Sequence, residues 1–295
     1  LLKWYAQFGR SSLPWRATRD PYRILVSEAM LAQTQVERVI PLYAAFIERF
    51  PHFSTLAAAD LGDVVRAWRG LGYNSRAARL HALARVVVEQ YDGHLPSDAQ
   101  QLRSLPGLGP YTVAAIRAFA FDCDDAATDV NIRRVIHRVL LGLEHPPLAS
   151  TAALDALARK AVPSGKGHDW NSAMMDLGAT ICTARAPKCL VCPLRDSCAA
   201  APIDIASLAL LARTHAKPRP PQSALPFEQT TRFLRGRIID RLRDVPARET
   251  IAVSALLSDL GAVVPPNRRE EIAPTVDALV RDGLVTRIDD KVRLS

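Results

Sequence analysis

SLPGLGPYTVAAI (residues 104–116) is the stretch on which the fold turns. Pro106, Gly107 and Gly109 stand directly before an apolar run at helical spacing. Two glycines let a tight turn take positive φ and let another backbone approach closely. The helix opening at Pro110 presents unpaired N–H groups and a positive dipole end, which together form an anion site. A G-x-G before a helix also occurs as plain structure in unrelated proteins. A dinucleotide site is excluded, because the strand it needs before the glycines is missing.

On either side, residues from Pro21 to about Ala200 read as successive amphipathic helices. PYRILVSEAMLAQTQVERVIPLYAAFIERF (21–50) carries apolar residues at three- and four-residue steps, as a core-facing helix needs. LGDVVRAWRGL, RAARLHALARVVVEQY, YTVAAIRAFAF and NIRRVIHRVLLGL repeat the pattern, so the main body is expected to be all-α. The Pro-rich segment THAKPRPPQSALP (214–226) marks a linker, placed within 203–227. RFLRGRIIDRLR, IAVSALLSDL and APTVDALVRD follow, and Leu284, Thr286 and Ile288 alternate before an Asp289-Asp290 turn. Three helices and a terminal hairpin predict a small winged-helix-like domain over 228–295, with a helical tail packed on the main body as the alternative. A charged fraction of 23% beside 48% hydrophobic residues excludes a wholly disordered chain. No uncharged apolar run reaches the roughly 18 residues of a membrane span. The net charge of +8 favours an acidic partner, nucleic acid first.

Four of the five cysteines fall close together in the pattern C-x6-C-x2-C-x5-C: Cys182, Cys189, Cys192 and Cys198. Such clustering in a large domain reads as metal binding rather than a disulfide framework. Zinc sites usually show two short knuckles, and only one pair is close here, which favours a 4Fe-4S cluster over zinc without excluding zinc. Cys123, in an apolar stretch, reads as a buried free thiol. Two carboxylates also stand out. Glu28 sits mid-helix among Ile24, Leu25, Val26, Met30 and Leu31; a buried carboxyl stays protonated longer, as a general acid must, although a lone helical Glu is more often solvated. Asp129 opens NIRRVIHRVLLGL, where it is at least a helix N-cap.

These residues carry a resemblance. LPGLGPYTVAAI is similar to the helix-hairpin-helix of base-excision DNA glycosylases, and the cysteine spacing matches the iron–sulfur loop of the endonuclease III and adenine glycosylase branches. LPWR (13–16), ILVSEAMLAQTQVERVIPLY (24–43), GLGYNSRAARLH (70–81) and NSAMMDLGATICTARAPKC (171–189) extend the match over residues 1–200. The combination resembles the adenine DNA glycosylase family most closely, in a short form without that family's Nudix-like C-terminal domain. The resemblance implies a helix-hairpin-helix glycosylase fold: a six-helix barrel over about 19–128, with the N-terminal segment and 129–202 forming a 4Fe-4S domain, so that 1–202 is the catalytic domain.

For the site, the resemblance makes Glu28 the acid that protonates the purine and Asp129 the stabiliser of the oxocarbenium ion. Tyr111 and Asn131 position them. Trp15, Arg16 and Ser172 belong to the base pocket, Gln33 and Tyr73 wedge the duplex open, and Gly107 and Gly109 hold a phosphate. Arg185 and Lys188, between the first two cysteines, face phosphates, their alternative being a solvated loop. Tyr111 stands where bifunctional relatives place a Schiff-base lysine, and the six lysines all lie outside the hairpin, so a monofunctional enzyme is expected. The implied setting is a monomer on mispaired or damaged double-stranded DNA in the cytoplasm, at the nucleoid.

Two departures bear on the substrate. Ala32 replaces a glutamine usual before Gln33-Thr34, and Ser172 stands where Gln or Glu commonly touches the adenine edge. The expected reaction is hydrolysis of adenine paired with 8-oxoguanine or guanine. The alternatives are a glycosylase for another base, such as hypoxanthine or a mismatched pyrimidine, and a non-catalytic iron–sulfur DNA-binding protein.

Overall fold

The computed structural model describes residues 1–216 and 225–295. In chain order its helices are α1 (Leu2–Phe8), α2 (Pro21–Leu31), α3 (Val36–Arg49), α4 (Phe53–Ala58), α5 (Leu61–Ala67), α6 (Ser75–Tyr91), α7 (Ala99–Ser104) and α8 (Pro110–Ala120). There follow α9 (Val130–Leu140), α10 (Thr151–Ala161), α11 (Gly167–Thr180), α12 (Ile205–Thr214), α13 (Thr231–Arg243), α14 (Val253–Gly261) and α15 (Ile272–Arg281). The strands are β1 (Ile251–Ala252), β2 (Val285–Ile288) and β3 (Lys291–Leu294). Up to residue 216 the described chain is helix and loop, as its periodicity predicts. Among the described residues no helix is long and apolar enough to cross a membrane.

The chain forms two compact units that do not follow chain order: Leu1–Glu28 with Pro96–Pro218, and Ala29–Leu95 with Arg219–Ser295. In the first, α9, α10 and α11 bury Ile132, Val135, Ile136, Leu154, Trp170 and Leu177 against one another. Helices α9 and α11 meet so closely that a Cβ at Gly178 would lie 2.7 Å from Asn131 Cβ. Helices α7 and α8 make the hairpin. Asp98 caps α7, accepting from the amides of Gln100 and Gln101 at 2.9 Å. Gly107 turns the chain at φ +81°. Gly109 caps α8 in extended backbone (φ −83°), with open space where a Cβ would stand. The expected positive φ is therefore used at Gly107 alone. Cys123 is half-buried rather than buried, with a free thiol.

In the second unit, Phe46 meets Trp68 edge to face and Phe50 at a tilt of 59° in the core. The run 21–50, read as one helix, is two: α2 ends at Leu31 and α3 begins at Val36, with Gln33 at φ +62° between them. A distant side chain ends α2. The Arg76 guanidinium takes the carbonyls of Ala29, Met30 and Ala32 at 2.6–2.9 Å, groups that would otherwise lack partners at a helix end.

Helices α13, α14 and α15 with an antiparallel sheet of order β1-β3-β2 give the winged-helix-like arrangement. IAVSALLSDL, read as wholly helical, begins as β1, because Ile251 and Ala252 pair with Val292 and Lys291. This module packs on α5. A Cβ at Gly62 would lie 3.0 Å from the Ser295 carbonyl oxygen, and Arg243 donates to the Val65 carbonyl (3.1 Å) and to Asn74 Oδ1 (2.8 Å). Part of the stretch read as linker is helix: Asp204 caps α12 by accepting from Ser207 N, and Leu208 is buried. The Pro-rich centre of that linker, residues 217–224, lies outside the described residues.

Candidate active site

Glu28 stands on α2 in the first unit, where Tyr111 of α8, Arg16 and Asp129 all act on its carboxyl. Burial pushes its pKa from 4.5 up to about 7, against the opposing pull of the Tyr111 hydroxyl and the Arg16 charge, and the Asp129 charge adds to the rise. Burial also holds the Tyr111 phenol well above its ordinary value, reinforced by the two carboxylates beside it. Tyr111 thus keeps its proton and donates it to Glu28 as a hydrogen bond. The result is one carboxyl poised to be protonated near neutrality, with the Asp129 carboxylate close enough to act on it.

Asp129 is fixed by what a helix start lacks. Its Oδ1 accepts from Ile132 N at 2.7 Å, the capping role its position predicts, and its Oδ2 accepts from Asn131 Nδ2 at 2.8 Å. Asn131 is oriented in turn, its Oδ1 taking Arg134 Nη2 at 2.8 Å. Arg134 donates onward to the carbonyls of Gly178 (2.7 Å) and Cys182 (2.8 Å), so the aspartate is tied through two side chains to the start of the cysteine loop.

Trp15 and Ser172 are buried, and Arg16 lies within 5.9 Å of both the Tyr5 and Phe119 ring centres, donating to Tyr5 Oη at 2.9 Å. Ser172 Oγ has no hydrogen-bond partner among the described residues. A buried hydroxyl left unmade costs about 1–3 kcal/mol, which a ligand or a water would recover. Asp176, which sequence reasoning passed over, binds Arg10 through its backbone N (2.8 Å) and its guanidinium (3.0 and 2.8 Å). It also reaches Arg16 at 3.5 Å. Only its apolar helical surroundings signalled it, since a buried carboxylate requires cationic partners.

In the second unit Gln33 and Tyr73 both occupy positive φ, at +62° and +45°, on exposed loops. Arg76 joins these loops. Besides the carbonyls near Ala32 it holds Thr34 Oγ1 (3.2 Å) and the carbonyls of Leu71 (2.8 Å) and Gly72 (3.2 Å). Burial lowers its pKa from the usual arginine value. No local pattern distinguishes Arg76 from its neighbouring arginines; only the tertiary fold does.

Cys182, Cys189, Cys192 and Cys198 line one cavity with Val135, Val139, Leu177 and Ile181. Four thiols around one cavity are a donor set that fits an iron–sulfur cluster. Buried Arg138 braces the loop, donating to the Thr183 and Ala184 carbonyls (2.8 and 3.2 Å) while paired with Glu144. Arg185 and Lys188 are exposed on this loop and pair with no carboxylate among the described residues.

Residues 26–160 match the HhH-GPD superfamily of base excision DNA repair proteins. Residues 182–198, from the first cysteine of the cluster to the last, match the iron–sulfur binding domain of endonuclease III. The adenine DNA glycosylase of Mycolicibacterium smegmatis is 39% identical over 291 residues, covering 98% of this chain and 92% of that protein. The chain belongs to the adenine DNA glycosylase family. The Mycobacterium tuberculosis H37Rv member is 36% identical over 98% of this chain and 90% of its own length, so the shared length takes in the C-terminal module. Among solved structures, a thermostable thymine-DNA glycosylase is similar with TM-score 0.62 and 36% identity, over 67% of this chain and 91% of that one. The fold is the helix-hairpin-helix glycosylase fold, and the cofactor is a 4Fe-4S cluster.

Proposed function

We propose that this family member is a monofunctional DNA N-glycosylase of base excision repair, releasing adenine paired with 8-oxoguanine or guanine. The observation that carries the reading is Glu28, a carboxyl held protonated near neutral pH beside Tyr111 and Asp129. The target nucleotide must leave the helix to reach such a site. The Glu28 carboxyl gives its proton to a ring nitrogen of adenine, which turns the base into a better leaving group. The C1′–N bond then breaks and its electron pair departs with the base. The cationic sugar is stabilised by the Asp129 carboxylate, held in place by Asn131. Water adds at C1′, its proton passes to the Glu28 carboxylate, and an abasic site remains. Tyr111 offers no amine for a Schiff base, so strand cleavage through a lysine is not part of the reaction.

In the same reading Trp15, Arg16 and Ser172 form the base pocket, Gln33 and Tyr73 open the duplex, and Gly107 and Gly109 bring backbone amides to a phosphate. Cys182, Cys189, Cys192 and Cys198 hold the 4Fe-4S cluster, which pins the loop that presents Arg185 and Lys188 to DNA. The catalytic domain spans 1–202, joined through 203–227 to the module over 228–295, and the enzyme works as a monomer on chromosomal DNA in the cytoplasm. Glu28→Gln and Asp129→Asn are each expected to abolish base release in single-turnover assays while duplex binding survives. Full activity in either variant, or a borohydride-stable adduct in good yield, refutes the assignment.

The unpartnered Ser172 Oγ supports a second reading, a different extruded base. A serine hydroxyl can donate or accept, so it does not by itself select adenine. Duplexes differing only in the central pair, with adenine, hypoxanthine or thymine as target, separate the two: fastest release of adenine supports the first, and of another base the second.

A further inference from the structure

The second compact unit contains a cleft of about 590 Å³, bounded by Arg38 and the 70–75 loop on one side and by α13 with Phe227 on the other. Five arginines line it, Arg38, Arg232, Arg235, Arg237 and Arg243, against a single carboxylate, Asp240. Arg235 is paired with Asp282 and Arg243 with Asp240. Arg38, Arg232 and Arg237 pair with no carboxylate among the described residues, and all three are exposed. Unneutralised guanidinium groups gathered in a cleft raise the local concentration of anions, and their planar forks suit phosphate oxygens.

Arg232 has a second feature. Its Nη1 donates to Tyr73 Oη at 2.7 Å, and its guanidinium lies 4.5 Å from the Tyr73 ring centre and 5.3 Å from that of Phe227. Phe227 is itself braced edge to face by Phe233 at 5.7 Å. Tyr73 stands at φ +45° with 39% of its surface exposed, a conformation that a bulky residue keeps only where its surroundings enforce it. Of the two arginines over its ring, Arg232 at 4.5 Å and Arg76 at 5.7 Å, the nearer, Arg232, which also hydrogen-bonds its hydroxyl, comes from the C-terminal module.

We propose that this cleft binds the phosphates of one strand of duplex DNA, and that Arg232 is the positioning residue that sets Tyr73. The wedge half of the proposal rests on the reading of Tyr73 given above; the phosphate half does not. The C-terminal module thereby contributes to duplex opening itself, through α13, in addition to any affinity it supplies. Arg38 and Arg237 carry the phosphate contacts, and Arg232 couples those contacts to the aromatic side chain.

The test uses the full-length, cluster-loaded protein and a duplex whose target adenosine is made uncleavable by fluorination of its sugar. Guanine is kept opposite the target, and a 2-aminopurine next to the target in the same strand is the stacking reporter. Arg38→Ala and Arg237→Ala are each expected to lower the slope of log affinity against log salt by about one, the loss of one phosphate contact. Arg232→Ala is expected to reduce the 2-aminopurine fluorescence rise on binding to the level of Tyr73→Ala. Arg232→Lys, which keeps the charge but not the planar stack, retains the wild-type salt slope with a reduced fluorescence rise. Wild-type salt slopes in both Arg38→Ala and Arg237→Ala overturn the phosphate cleft. A wild-type fluorescence rise in Arg232→Ala, where Tyr73→Ala has lost it, overturns the positioning role. A wild-type rise in Tyr73→Ala instead refutes the wedge reading, and the positioning role with it, while the salt slopes still decide the cleft. Unchanged cluster absorbance and thermal midpoint show that each variant is folded.

Discussion

Replacing Glu28 by glutamine is expected to stabilise the enzyme at alkaline pH while removing its activity. The wild-type carboxyl has a pKa of about 7 in the folded protein against 4.5 as its ordinary value. Between those values the native state keeps a proton that the unfolded chain has released, so stability falls as pH rises through this window. The contribution is fully present below 4.5 and lost above about 7. Converted at 1.36 kcal/mol per pH unit, the full separation is worth about 3 kcal/mol. Glu28 is only half-buried, and partial solvent access lowers that figure, so about 2 kcal/mol is expected. Glutamine preserves the shape and can accept the Tyr111 hydroxyl without ever becoming charged. The stability difference, variant minus wild type, should therefore grow by about 2 kcal/mol from about pH 5 to about pH 8. Denaturant titrations of both proteins at matched cluster content, taken at several pH values, measure it directly. In parallel, single-turnover base release by the wild type should fall about tenfold per pH unit above its folded pKa, because only the protonated carboxyl acts. A difference in stability that is flat across this range, or that shrinks as pH rises, refutes the claim that Glu28 is held protonated by burial.

Three further outcomes follow from close contacts and from the loop. Gly178→Ala places a Cβ 2.7 Å from Asn131 Cβ, so α9 or α11 must shift. About 1–3 kcal/mol of destabilisation is expected, with a drop in the rate of base release larger than any loss of DNA affinity, measured by denaturation and single-turnover kinetics. Gly107→Ala forces an L side chain to φ +81° and is expected to cost about 1 kcal/mol and to weaken duplex binding, read from a binding isotherm at fixed salt. Removing iron with a chelator should free the loop from Cys182 to Cys198 and lower the salt slope of duplex binding by about two, as Arg185 and Lys188 lose their fixed places; an unchanged slope would separate the cluster from DNA binding.

What the sequence announced and what it concealed differ by the range of the interactions involved. The cysteine spacing, the hairpin glycines and the Asp129 cap are written within a few residues of themselves, so they can be read directly. Glu28 can be picked out as a carboxyl in an apolar run, but its raised pKa comes from burial in the folded chain, opposed by Tyr111 and Arg16 and reinforced by Asp129, and two of these groups arrive from far along the chain. The break after Leu31 was invisible for the same reason: the apolar period runs on through it, and the group that ends the helix is Arg76. Arg134, Arg138 and Asp176 were hidden likewise, each being one polar residue among many until its partners come into contact. An excess of arginine read from composition is only a hint of an acidic partner. In the folded chain most arginines near the site are committed to protein carbonyls or carboxylates, as Arg76, Arg134, Arg138 and Arg243 are. Arg185 on the cysteine loop and Arg38, Arg232 and Arg237 around one cleft are among those that pair with no carboxylate among the described residues, and they are the ones proposed above for DNA. Net charge thus identifies the partner only after the internally neutralised part has been subtracted, and that subtraction requires the fold.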